Sequence, residues 1–220
     1  QVCASLQEAH SIGLIHRDIK PLNILLCRMG GEPDFVKVLD FGLAREIELP
    51  EDQSLTSPQI IHGTPLYIAP ERLRDPKNID LRCDIYSLGA VGYNLLTGKD
   101  LYRGASALEL SHHTLHSAVP RPSENSALAI PPELDQLIVD CLAKDPADRP
   151  ASAREAMHRM DAIAFATPWD WDHARQWWER HEAELKQGRA GAARAGTSSP
   201  FEPRTLAVSR GESPRGKKWT

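Results

Sequence analysis

The stretch that decides the fold of this chain is His16-Arg17-Asp18-Ile19-Lys20-Pro21-Leu22-Asn23. Two further segments follow it in order, Asp40-Phe41-Gly42 and Ala69-Pro70-Glu71. An isolated Asp or Asn in such a segment is usually a turn or helix-capping residue, because its side chain bonds readily to nearby backbone. Three ordered segments that combine carboxylates, an amide and a lysine indicate one chemical site instead.

Helices are predicted on both sides of these segments. Apolar residues recur at helical spacing from Val2 onward, so residues 1 to about 14 should form an amphipathic helix that ends near Gly13. Residues 83–98 are apolar on nearly every side and end in a glycine, which predicts a buried helix. Three more helices are predicted at residues 106–115, 132–143 and 152–163.

A small β-hairpin is predicted directly after the first segment. The apolar runs 24–26 and 35–39 are separated by the turn-forming residues Gly30-Gly31-Glu32-Pro33-Asp34. Such a hairpin would bring Asn23 and Asp40 side by side.

The three segments resemble, in the same order, the catalytic loop, the metal-binding motif and the end of the activation segment of protein kinases. Residues 144–150 supply a further match, and the resemblance covers about residues 1–165. It implies an α+β kinase-like fold, of which this chain would be the mostly α C-terminal lobe with a small β-hairpin. A lysine two residues after Asp18 is similar to serine/threonine kinases rather than tyrosine kinases, and the Ala, Arg and Pro-rich tail has a bacterial character.

The resemblance implies a role for five residues. Asp18 would accept the proton of the acceptor hydroxyl, and Lys20 would place its ammonium group against the transferring phosphoryl group of ATP. Asn23 and Asp40 would hold Mg²⁺, and Leu25 would lie beneath the adenine ring. These residue types suit the chemistry, because phosphoryl transfer needs positioning and cations, and Mg²⁺ prefers hard oxygen ligands.

Supporting residues are implied in the same way. His16 and Phe41 would pack as internal props, and the buried Asp84 would accept hydrogen bonds from the backbone of the catalytic loop. Arg149 would pair with Glu71 in the interior. The alternative for this pair is a surface salt bridge that contributes little stability.

The segment from Asp40 to Glu71 is too long for an ordinary connection inside a compact domain and resembles an activation segment. Its candidate phosphorylation sites are Ser54, Thr56 and Ser57, whose phosphates could pair with Arg17. Thr64 would hydrogen-bond near Asp18 and Lys20.

The function implied is transfer of the ATP γ-phosphoryl group to Ser or Thr hydroxyls of protein substrates. A complete kinase would also carry a glycine-rich loop, a strand lysine and a helix glutamate, which are expected to lie in an N-terminal lobe absent from this chain. The chain alone is therefore expected to bind ATP weakly. The alternative is a non-catalytic kinase-like lobe that acts as a scaffold or regulatory module.

The chain is expected to have three parts: the kinase lobe at 1–165, a Trp-rich helical extension at 166–187 and a disordered basic tail at 188–220. Four tryptophans crowd the extension, at positions 169, 171, 177 and 178. They would pack onto the lobe or, alternatively, dock a partner protein. The sparse charge of the tail makes nucleic-acid binding a minor alternative.

Cysteine usage and hydropathy indicate the cellular compartment. The four cysteines are widely spaced with no paired metal motif, which fits a reducing cytoplasm. No apolar run approaches the roughly 20 residues needed to cross a bilayer, so membrane attachment is expected only through sequence missing from this chain.

Overall fold

A computed structural model describes residues 1–41, 66–167 and 169–194 of the chain. The secondary structure is mostly helical, with one two-stranded sheet. The elements are α1 (Val2–Ser11), β1 (Ile24–Met29), β2 (Glu32–Val38), α2 (Pro70–Arg74), α3 (Arg82–Thr97), α4 (Ala107–His116), α5 (Pro122–Asn125), α6 (Pro132–Cys141), α7 (Ala153–Asp161) and α8 (Trp171–Arg194). Gly42, Ser54, Thr56, Ser57 and Thr64 lie outside the described residues.

The predicted first helix is confirmed, with an earlier end. Helix α1 stops at Ser11, and Gly13 follows in the left-handed region with φ 78°. The amide of Leu14 bonds to the carbonyl of Ala9, and the amide of Gly13 bonds to that of His10. This pair of bonds is a Schellman motif, which satisfies the last carbonyls of the helix and needs a residue that tolerates positive φ.

The predicted hairpin is also confirmed, but its turn is shorter than the sequence suggests. Strands β1 and β2 are antiparallel, and Met29 pairs with Glu32. Gly30 and Gly31 have φ values of 63° and 88°, so these two residues close the turn by themselves. The prediction that the turn extends to Asp34 was wrong, because β2 already begins at Glu32. Pro33 is tolerated there because both strands of a two-stranded sheet have a free edge.

The core is built around α3, as its apolar sequence predicts. Nine residues of this helix are buried, and Tyr86, Ile85 and Cys83 are among the largest fully buried side chains of the described residues. Gly98 ends the helix in the left-handed conformation with φ 67°. Helices α4, α6 and α7 form near their predicted positions, each within a few residues of the expected ends.

Two glycines let α3 approach α6 closely. A Cβ at Gly89 would lie 2.7 Å from Cys141 Cβ, and one at Gly92 would lie 2.6 Å from Ile138 Cδ1. Real Cβ contacts are longer, so both positions are closed to larger residues unless a neighbour moves. Cys141 Cβ is fixed by the backbone of α6, whereas Ile138 Cδ1 is the end of a side chain that can rotate.

The chain divides into two compact units, residues 1–174 and 175–220. In the second unit, the described residues continue α8 as far as Arg194. The extension is therefore helical, as expected, and its helix ends later than the predicted end near Lys186. The proposed disordered tail falls mainly on residues outside the described part of the chain, and the three-part division stays a prediction. Within the described residues, no helix combines the length and apolar character needed to span a bilayer.

We predict that Gly89→Ala lowers the free energy of unfolding by up to about 2 kcal/mol. Overpacking against a fixed Cβ costs about 1–3 kcal/mol, and the better helix propensity of Ala offsets only about 1 kcal/mol of that. The matched control is Gly92→Ala, whose steric conflict a rotation of Ile138 relieves, so its loss of stability should be smaller. Urea unfolding of both variants tests this, and equal midpoints would contradict the asymmetry.

Candidate active site

The loop from His16 to Asn23 is anchored by the buried carboxylate of Asp84. Asp84 lies in the first turn of α3 and is fully shielded from solvent. Its Oδ2 accepts a hydrogen bond from the backbone N–H of His16, and its Oδ1 accepts one from that of Arg17, both at 2.8 Å. The predicted role of Asp84 is therefore confirmed.

Two supporting residues were missed by the sequence analysis. His10 Nε2 lies 2.9 Å from Asp84 Oδ2, which gives the carboxylate a third partner. Arg72 Nη1 donates to the backbone carbonyl of Arg17 and ties α2 to the loop. The only sequence signal for His10 was a polar residue beside the buried face of α1, and the signal for Arg72 was its position directly after Ala69-Pro70-Glu71.

Arg17 has a backbone conformation that needs such support. Its φ is 69°, in the left-handed region that a non-glycine residue adopts at a cost of roughly 1–2 kcal/mol. Its amide is held by Asp84, and its carbonyl is held by Arg72. Hydrogen bonds on both sides of this residue thus fix the turn that presents Asp18.

Asp18, Lys20 and Asn23 form one hydrogen-bonded cluster. Asp18 Oδ2 accepts from Lys20 Nζ at 2.7 Å and from Asn23 Nδ2 at 2.9 Å. Asn23 Nδ2 also donates to the backbone carbonyl of Asp18 at 2.7 Å. Asn23 is buried, whereas the side chain of Asp18 is 45% exposed. Both donors bond to Oδ2, and among the described residues none bonds to Oδ1 of Asp18.

His16 links the loop to the end of the hairpin. Its Nδ1 accepts a hydrogen bond from the amide of Asp18 at 3.2 Å, so Nε2 carries the proton and donates to the carbonyl of Leu39 at 2.8 Å. Its ring meets that of Phe41 edge-on, with centroids 4.7 Å apart. These contacts confirm that His16 and Phe41 pack against each other and support the backbone next to Asp40.

The hairpin places Asp40 close to this cluster along the backbone. Ile24 pairs with Val38, and the amide of Leu39 bonds to the carbonyl of Asn23 at 2.8 Å, so Asp40 follows directly. Its side chain is exposed, and among the described residues no hydrogen bond joins it to the cluster. Leu25 lies on β1, and the residue is 41% exposed. The five predicted site residues therefore comprise one bonded cluster of three, with Asp40 beside it and Leu25 farther along the strand.

Asn23 and Asp40 have the chemistry that a Mg²⁺ site requires. The side-chain nitrogen of Asn23 donates its hydrogen bonds to Asp18. The atom of this amide that could bind a metal ion is therefore Asn23 Oδ1. An amide oxygen and an exposed carboxylate are hard ligands, and Mg²⁺ normally completes its shell with water and substrate phosphates. Among the described residues, no group of three or more His, Cys, Asp or Glu side chains converges on a single point.

Arg149 and Glu71 form a buried bidentate pair. Nη1 and Nη2 of Arg149 each donate to one oxygen of Glu71 at 2.7 Å. Arg149 is only 4% exposed and also donates to the carbonyls of Arg82 and Ala143 at 2.8 Å. These contacts confirm a structural pair rather than a surface salt bridge. The pair holds α2 near the loop, and neither of its residues is assigned a catalytic role.

Comparisons with known proteins agree with this geometry. Residues 1–160 match the family described as protein kinase domain. The serine/threonine-protein kinase PknL of Mycobacterium tuberculosis is 42% identical over 163 residues, which are 74% of this chain and 39% of that protein. The serine/threonine-protein kinase pkn3 of Myxococcus xanthus is 40% identical over 165 residues, 74% of this chain and 30% of that protein.

A third relative matches a longer part of the chain. The probable serine/threonine-protein kinase CE0033 of Corynebacterium efficiens is 31% identical over 210 residues, which are 94% of this chain and 28% of that protein. The chain thus spans between 28% and 39% of the length of these curated relatives.

We predict that Asp84→Asn destabilises the protein by about 1–3 kcal/mol, the penalty for a buried polar group left without a partner. One carboxylate oxygen becomes an NH₂ group, which faces a donor instead of accepting from it. Hydrogen exchange at the amides of His16 and Arg17 should accelerate as well. The control is Asp100→Asn at an exposed position. Unchanged stability and exchange would show that Asp84 does not hold the loop.

Proposed function

Since the chain belongs to the protein kinase family, we propose that it forms the larger, mostly helical lobe of a serine/threonine protein kinase. In this proposal the complete protein transfers the γ-phosphoryl group of ATP to Ser or Thr hydroxyls of protein substrates. The chain contributes the catalytic loop, one magnesium-binding motif and the activation segment.

The observation that carries this proposal is the environment of Asp18. An unprotonated carboxylate can orient a hydroxyl and accept its proton if one oxygen is accessible and the group is held in place. Among the described residues Asp18 meets both conditions, because its side chain is partly exposed and is held through Oδ2 by Lys20 and Asn23. In the proposed reaction the acceptor hydroxyl bonds to Oδ1 before its oxygen attacks the phosphorus.

Lys20 has a second task in this proposal. Its ammonium group lies against Asp18 and is partly exposed, so it can contact a phosphoryl oxygen at the same time. Charge spreads over these oxygens during transfer, and a fixed cation stabilises that charge. The position beside the carboxylate also keeps a positive charge next to the proton acceptor throughout the reaction.

Asn23 and Asp40 would hold Mg²⁺, and Leu25 would support the adenine ring. When bound, Mg²⁺ neutralises charge on the phosphate oxygens and helps to orient them. The chain's own contribution is to orient the ligands: Asp18 holds the amide of Asn23, and His16 holds the backbone before Asp40. Phosphorylation of Ser54, Thr56 or Ser57 remains a proposal for regulation.

We predict that Asp18→Asn in the complete protein lowers kcat for transfer to a Ser/Thr peptide by at least about 100-fold, the lower range for removal of a general base. The amide cannot accept the hydroxyl proton, although it can keep a hydrogen bond to Lys20 or Asn23. Transfer of radiolabelled phosphate from ATP in the presence of Mg²⁺ measures this.

The control is Glu8→Gln, which removes an exposed carboxylate on α1 and should leave the rate unchanged. Retained phosphoryl transfer in Asp18→Asn would exclude Asp18 as the base. Absence of transfer in the wild-type protein, together with intact folding, would favour the alternative that the lobe is a scaffold.

A further inference from the structure

Trp169 connects the segment beyond the family match to the β-hairpin. Its indole Nε1 donates a hydrogen bond to Asp34 Oδ2 at 2.7 Å, across 135 residues of sequence. The family match ends at residue 160, so this contact comes from outside the matched domain. Both residues belong to the same compact unit.

Asp34 is held from a second direction by the start of the chain. Gln1 Nε2 donates to the backbone carbonyl of Asp34 at 2.6 Å, and Gln1 Oε1 accepts from the amide of Val36 at 2.9 Å. The side-chain amide of Gln1 thus bonds the free edge of β2 as a neighbouring strand would. Two segments far apart in sequence therefore converge on one residue of the hairpin.

The C-terminal end of β2 leads into the candidate active site. Beyond Val38, the amide of Leu39 bonds to the carbonyl of Asn23, and Asp40 follows. Asp34 and Asp40 both have left-handed backbones, with φ values of 57° and 61°. A two-stranded hairpin has little stability of its own and keeps such conformations only with external contacts. The position of Asp40 thus depends on contacts that hold β2.

We propose that Trp169 is a positioning residue for the magnesium ligands. By holding Asp34 it restrains β2, and through β2 it sets the placement of Asp40 next to Asn23. The segment that follows the kinase domain would thereby adjust the Mg²⁺ requirement of phosphoryl transfer. This proposal rests on the proposed function for its catalytic consequence, whereas the restraint of the hairpin can be measured without catalysis.

The first test is hydrogen exchange in the complete, metal-free protein. Trp169→Phe keeps an aromatic ring and removes the N–H donor together with one ring of the indole. We expect exchange of the amides of residues 32–38 to accelerate about 3- to 10-fold, which is the range for loss of one hydrogen bond. Trp177→Phe is the matched control, because the ring of Trp177 packs against Trp178 and His181 of the same helix, and it should leave the hairpin amides unchanged. Unchanged hairpin exchange in Trp169→Phe would overturn the proposal.

The second test measures Mg²⁺ dependence of transfer. Trp169→Phe should raise the apparent KM for Mg²⁺ about 3- to 10-fold and leave kcat at saturating Mg²⁺ within about 2-fold, as expected when only the placement of a ligand is altered. Lower kcat with an unchanged KM for Mg²⁺ would overturn the positioning role.

Variants of Asp34 separate the hydrogen bond from general damage. Asp34→Asn keeps an acceptor oxygen for the indole N–H and tolerates positive φ, so its effect should be smaller than that of Asp34→Gly. Asp34→Gly tolerates the same backbone but loses the whole carboxylate, so its effect should be at least as large as that of Trp169→Phe, and the double variant should be no worse than Asp34→Gly alone. Additive effects would overturn the proposal. Glu32→Gln, on the same strand, is the control for loss of charge. If the wild-type protein transfers no phosphate, the hydrogen-exchange results still test whether Trp169 restrains the hairpin. In that case only the proposed function fails.

Discussion

The buried carboxylate of Asp84 is the constraint on which the rest of the site depends. A carboxylate removed from solvent must be surrounded by donors, since an unpaired buried charge is strongly destabilising. Asp84 obtains its donors from the backbone of His16 and Arg17 and from the ring of His10. The need to satisfy one acid in the central helix therefore dictates the path of the loop that presents Asp18.

The loop is then held from several directions at once. Arg72 binds the carbonyl of Arg17, His16 binds the carbonyl before Asp40, and the buried pair of Arg149 and Glu71 keeps α2 in place. The first contact joins the loop to α2, the second joins it to the end of the hairpin, and the third joins α2 to Arg149, so a shift of the loop would break hydrogen bonds to two elements. A rigid support of this kind keeps the partly exposed carboxylate of Asp18 in a fixed position.

The sequence was informative wherever the pattern is local. The helical periodicity of α1 and α3 and the turn glycines predicted these elements, and the ordered motifs predicted the cluster of Asp18, Lys20 and Asn23. The shorter hairpin turn was missed because Pro33 and Asp34 are typical turn residues, and only strand pairing shows that Gly30 and Gly31 suffice. His10 and Arg72 were missed because their partners lie far away in sequence; for Trp169 packing onto the lobe was expected, but its partner Asp34 was not.

By itself, the sequence determined the longer helices, the hairpin, the family resemblance and the residue types of the candidate site, because periodicity, turn chemistry and motif spacing are properties of neighbouring residues. Only the tertiary structure decided which oxygen of Asp18 bonds to Lys20 and Asn23, which ring nitrogen of His16 carries the proton, and which segments hold the hairpin at Asp34. Those properties arise when groups separated by tens of residues compete for the same hydrogen bond, and such competition is resolved by three-dimensional packing.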